Sequence, residues 1–168
     1  MKRCIASFLL LLVATGASAD NLDRGIKLYR QEKYTQAAKV LKKVVAKEPK
    51  NEEALTYLGL ALLESGKYSE AVEPLRKACA VDVKNAEALY GLGLAYGYLE
   101  KLPDAIKALE RAVQLEPDNA YVRYHLGLAY NQVERIDLAV LQLHRFLELA
   151  PDAPEAPQVK ALLAQLRR

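Results

Sequence analysis

The sequence predicts an all-α fold: four helix-turn-helix hairpins in tandem, closed by a C-terminal capping helix. Three observations predict it. The tetrapeptide Leu-Gly-Leu-Ala recurs at Leu58–Ala61, Leu92–Ala95 and Leu126–Ala129, at one fixed interval (92 − 58 = 126 − 92 = 34). Between copies, apolar residues recur at three- and four-residue steps, the spacing of one helix face. Proline, asparagine and short polar runs interrupt those steps twice in every period.

The period extends beyond the tetrapeptide. Gly25, Gly59, Gly93 and Gly127 share one column, and Ala37, Ala71, Ala105 and Ala139 a second. Leu41, Leu75, Leu109 and Leu143 form a third. Large apolar residues fill two more: Leu28, Leu62, Tyr96, Tyr130, and Tyr34, Tyr68, Leu102, Ile136. Pro49, Pro117 and Pro151 share a column broken once by Val83. These columns divide the chain into units at 20–51, 52–85, 86–119 and 120–153, with 154–168 left for the capping helix.

Residues 1–19 stand apart. Lys2 and Arg3 precede the apolar run Ile5–Val13, and Ala17-Ser18-Ala19 places small residues before Asp20, the pattern of a cleaved secretory signal. The run is short beside the roughly 20 residues of a spanning helix. Cleavage is therefore expected to leave no membrane insertion, although an uncleaved anchor is the alternative. Removing Lys2 and Arg3, with no acid, lowers the net charge from +3 to +1. It also removes Cys4, leaving Cys79 as the one thiol and no internal disulfide in an oxidising compartment. So small a charge, without a basic patch, excludes an electrostatic nucleic-acid binder.

Each unit reads as helix, turn, helix. The first helix of unit three carries Leu89, Leu92, Tyr96 and Leu99 on one face, and the second carries Ile106, Leu109 and Val113 with Ala105 and Ala112. Pro103 suits a first helical position. Thr35, Ser69 and Asp137 share its column and are expected to cap the second helix of their units through side-chain oxygens. Asn51, Asn85 and Asn119 are expected to cap the next first helix. Pro74 predicts a local kink. A helical glycine costs about 1 kcal/mol against alanine, so the glycine column implies a close crossing, expected to face the alanine column. Gly97 has no such explanation, because its column holds Tyr29, Leu63 and Asn131 elsewhere. Phe146 stands where other units have Val44, Ala78 and Ala112 and needs a different neighbour, which the tail can supply. There, Val159, Leu162, Leu163 and Leu166 form an apolar stripe, as a cap over the last exposed face requires.

In these columns the chain resembles the tetratricopeptide repeat, a family of helical hairpins with this period. The resemblance rests on the Leu-Gly pair, the large residue three places on, the Ala-to-Leu spacing and the proline. It implies a right-handed superhelical solenoid whose first helices line a concave surface that holds peptides.

Chemistry-bearing motifs are few. Gly91–Gly97 reads GLGLAYG but lies inside a helical pattern, not between strand and helix as a phosphate loop must. No cysteine or carboxylate cluster stands at metal-ligand spacing from His125 or His144. No cofactor, metal or enzymatic activity is expected. The tyrosines say more. Of ten, Tyr34, Tyr68, Tyr96 and Tyr130 occupy packing columns, while Tyr29, Tyr57, Tyr90, Tyr98, Tyr121 and Tyr124 all lie on first helices. Tyr90, Leu94 and Tyr98 run beside the buried stripe at four-residue steps; Tyr124 and Leu128 continue the pattern, with Tyr121 and His125 adjacent. Aromatic rings with polar tips suit an interaction surface. Tyr57, Tyr90, Leu94, Tyr98, Tyr121, Tyr124, His125 and Leu128 are thus the candidate peptide groove, with Thr56, Glu53 and Glu87 along it. Neither Tyr90 nor Tyr124 lies in a packing column, so neither is expected to support the fold. The expected function is a non-enzymatic protein-interaction scaffold of the periplasm or a similar compartment, assisting envelope assembly. The alternatives are a self-associating structural protein, as a homodimer, and an accessory subunit of an envelope enzyme or polysaccharide system.

Overall fold

The computed structural model describes residues 19–166, so the expected signal segment, except Ala19, lies outside the described residues, as does Cys4. The described residues form nine α-helices and no strand: α1 (19–30), α2 (Tyr34–Lys47), α3 (Glu52–Glu64), α4 (Tyr68–Val81), α5 (Ala86–Tyr98), α6 (Leu102–Leu115), α7 (Ala120–Gln132), α8 (Ile136–Leu149) and α9 (Ala156–Leu166). The chain divides after Val83 into two compact units, α1–α4 and α5–α9. In the first, α3 packs on α2 and α4; in the second, α5 pairs with α6, α7 with α6 and α8, and α9 lies on α8. The fold is an all-α array of helical hairpins.

The glycine column meets the leucine column, not the alanine column. A Cβ on Gly25, Gly93 or Gly127 would lie 2.6, 2.6 or 2.8 Å from a side-chain carbon of Leu41, Leu109 or Leu143, and one on Gly59 would come closer still to Leu75. Those four leucines are buried almost completely, so the missing methyl makes room for a branched side chain in the core. The alanines are also fully buried, but they enter only through backbone: the carbonyls of Ala105 and Ala139 lie 3.4 Å from the added atom at Gly93 and Gly127.

Turns within hairpins share one closure. Gly66 has φ 75°, and Glu32, Glu100 and Glu134 in the same column have φ 60°, 57° and 58°. In the third repeat Glu100 N–H donates to Gly97 O at 3.0 Å and Lys101 N–H to Tyr96 O at 2.9 Å, and the other repeats make the same pair. This is a Schellman closure, in which a left-handed residue ends the helix. The next helix then starts immediately. Its N-caps are Lys33, Lys67, Lys101 and Arg135, with no side-chain cap bond. Thr35, Ser69 and Asp137 therefore lie inside the first turn and do not cap, contrary to the sequence expectation, because the N-cap falls two residues earlier. Between hairpins the asparagines do cap: Asn51, Asn85 and Asn119 accept from the N–H groups of Ala54, Ala88 and Val122 at 2.9, 2.7 and 3.3 Å. α4 runs unbroken through Pro74.

Candidate functional site

The second unit brings seven of the eight candidate residues onto two helices. Tyr90, Leu94 and Tyr98 stand on α5; Tyr121, Tyr124, His125 and Leu128 stand on α7. His125 joins the two sets, its ring 5.8 Å from that of Tyr90 and 4.9 Å from that of Tyr124. Tyr98 and Tyr121 are the open members, 59% and 42% exposed; the others are half-buried. Tyr57 belongs to the first unit, where its ring lies 5.4 Å from Tyr29, which in turn lies 5.5 Å from Tyr34. Tyr29 and Tyr57 thus form a local aromatic cluster. Thr56 does not line a surface. It is buried, and its hydroxyl donates to Glu52 O at 3.0 Å and Glu52 Oε1 at 3.1 Å on its own helix.

Tyr124 has a second role that corrects the sequence reading. Its ring lies 5.2 Å from Phe146, and it packs against a core of Leu143, Phe146, Val159 and Leu163. Tyr121 also approaches Phe146, at 6.2 Å. The large knob of the fourth repeat is thus covered by α9 on one side and α7 tyrosines on the other. Tyr124 is part of this packing although no column of the period contains it, because α9 lies outside the repeat.

Charge at the site is sparse. Burial lowers the pKa of His125 to about 4, against a small upward pull from the Glu155 carboxylate, so the imidazole is neutral near pH 7. Tyr124 is shifted upward, first by burial and then by Glu155. The Tyr121 hydroxyl lies 3.5 Å from Glu155 Oε2. Glu155 sits in the segment before α9, and its proximity was invisible in the sequence. At the rear, Tyr130 is buried and donates to Glu110 Oε1 at 2.5 Å; burial and that carboxylate push its hydroxyl up to about 12.

Beside the tyrosines lies a cavity of about 250 Å³, bounded by α5, α6 and α7. Gly93, Gly97, Leu94, Leu109 and Leu128 give it apolar walls, and Tyr98, His125 and Gln132 add polar atoms. No cluster of three metal-ligating side chains occurs among the described residues. No helix among them is long and apolar enough to cross a membrane. Cys79 is buried. The site offers rings, aliphatic walls and hydrogen-bonding tips, which suit polypeptide recognition.

Comparisons with known proteins agree with the fold. The family profile described as tetratricopeptide repeat matches residues 93–164, and that of anaphase-promoting complex, cyclosome, subunit 3 matches 30–112. No curated protein matches the chain. Among solved structures, a crystal structure of MamA protein shares 30% identity at TM-score 0.80, covering 89% of this chain and 82% of its own. A second MamA crystal structure shares 31% identity at TM-score 0.77, covering 85% and 84%. MamA 41-end from Desulfovibrio magneticus RS-1 shares 28% identity at TM-score 0.74, covering 82% and 77%. With its repeats in register and this likeness over most of its length, the chain belongs, with MamA, to the tetratricopeptide-repeat family.

Proposed function

We propose that this repeat scaffold holds a partner polypeptide on the tyrosine face of α5 and α7, in an extracytoplasmic compartment, and so assists assembly of envelope proteins. One observation carries the binding reading. Tyr98 and Tyr121 are open to solvent beside the half-buried Tyr90–His125–Tyr124 cluster. Exposed aromatic groups clustered around a cavity are the usual mark of an interaction site. The compartment rests on the sequence alone, through Lys2, Arg3, the apolar run and Ala17-Ser18-Ala19. Capture from envelope extract tests the reading, with wild-type chain beside Tyr90→Ala/Tyr98→Ala as bait. Proteins held by the wild type and lost by the variant support it; identical retained sets overturn it. Mass spectrometry of the exported chain tests the location, with an N-terminus expected at Asp20.

Self-association has its own observation. Leu138 and Leu141 on α8 are 38% and 54% exposed, where the other repeats place Gln36, Glu70 and Asp104, and Lys39, Glu73 and Lys107. Sedimentation equilibrium of Leu138→Lys/Leu141→Lys beside wild type decides whether these leucines join two copies.

A further inference from the structure

One residue in the lining of the cavity beside the tyrosines has no packing reason to be glycine. Gly97 lies in the last turn of α5, and a Cβ built there meets nothing within 4 Å. It is unlike Gly93, whose added Cβ would strike Leu109 at 2.6 Å. Packing therefore does not demand Gly97, and helix propensity argues against it. The repeat shows what is missing. In the same column the second repeat has Leu63, which is 4% exposed. Where that repeat supplies its own aliphatic side chain, the third leaves about 250 Å³ open.

The walls define the occupant. Leu94, Leu109 and Leu128 are aliphatic, while Tyr98, His125 and Gln132 carry polar atoms. An apolar cavity of about 150 Å³ is known to admit a benzene ring, so this one has room for a large side chain. Charge defines what flanks it. α5 and α7 carry between them one carboxylate, Glu87, and one permanent cation, Arg123. Arg123 is engaged with Pro117 O at 2.7 Å and Gln142 Oε1 at 2.8 Å, toward α8. Glu155 adds a second carboxylate at the tyrosines. α6 adds Asp104, Lys107, Glu110 and Arg111, which balance, so α5, α6, α7 and Glu155 together hold one carboxylate in excess.

We propose that the space left by Gly97 is a side-chain pocket, filled in trans by one leucine-, methionine- or phenylalanine-sized residue of the bound polypeptide, with a lysine or arginine nearby in that polypeptide meeting Glu155 or Glu87. The proposal deepens the binding reading above and rests on it. Gly97 is then a specificity residue: the glycine keeps the pocket open that Leu63 closes in its own repeat.

A random dodecapeptide library displayed on phage provides the probe. It is selected on the wild-type chain, and the enriched peptides are synthesised and titrated by calorimetry. The enriched set should share one large apolar residue with a basic residue within a few positions. Gly97→Leu, which restores the side chain of the second repeat, should melt no lower than wild type and weaken these peptides at least tenfold. Gly97→Ala has open space for its methyl, so it serves if the larger variant misfolds. It should shift selection toward smaller apolar residues. Unchanged affinity in Gly97→Leu, or unchanged preference in Gly97→Ala, overturns the pocket. The control is Tyr90→Ala/Tyr98→Ala. If that variant loses the peptides while Gly97 variants keep them, the face binds and the pocket does not. If both keep them, or nothing is enriched, both readings fail.

Discussion

At the scale of single residues, two glycines four positions apart on one helix do opposite things. Gly93→Ala forces Leu109 out of its buried place, since the new Cβ would lie 2.6 Å from Leu109 Cγ. A cost of about 1–3 kcal/mol is expected for such overpacking. Gly97→Ala meets open space and should gain up to about 1 kcal/mol from helix propensity. Thermal melts of the pair measure both signs. The left-handed column makes a third case. Glu100 and Glu134 hold φ 57° and 58°. A residue with a Cβ loses about 1 kcal/mol or more in that conformation, and glycine adopts it freely. Glu100→Gly should therefore stabilise, and urea midpoints would show it. This column was hidden in the sequence because three of its four members are glutamate; only Gly66 advertised it. His125 gives a pH dependence. Its folded pKa is about 4 against an ordinary 6.5, so between these values the unfolded chain binds the extra proton. Its contribution is full above the ordinary value and lost as pH falls toward 4. At about 1.4 kcal/mol per pH unit the loss is about 3 kcal/mol. A His125→Gln chain should show a flatter fall in urea-derived stability between pH 7 and pH 4.

At the scale of elements, the helices were legible because each unit repeats its evidence. Apolar spacing, the glycine and leucine columns and the asparagine caps recur, so a weak local signal gained weight from its copies. Part of what was not legible involves partners outside the period. Phe146 stood out as an odd knob, but its contacts come from α9 and from Tyr121 and Tyr124 together. Helix spacing alone placed Tyr124 on a free surface. Phe146 is fully buried. Phe146→Ala should therefore cost about 3–5 kcal/mol. Tyr124→Ala should also lower the melting temperature, whereas Tyr98→Ala should not, because Tyr98 is 59% exposed. Removing 156–168 strips Val159 and Leu163 from Phe146 and should produce aggregation or association, measurable by light scattering.

At the scale of the molecule, the repeat supplies both scaffold and template. Departures from the period are informative because the other copies show the default. Gly97 opens a cavity where Leu63 is buried, and leucines replace charged or polar residues at two outer positions of α8. The candidate residues were named from the sequence, but their arrangement was not: the His125 link, the Glu155 carboxylate and the cavity all need the packing of three helices. The central claim is that the α5–α7 tyrosine face holds a polypeptide. Amide hydrogen exchange of the full chain, with and without a saturating library-selected peptide, tests it most directly. Protection is predicted to concentrate in segments 90–98 and 121–128. Protection confined to the outer helices α6 and α8, with those two segments exchanging as in the unbound chain, would contradict it.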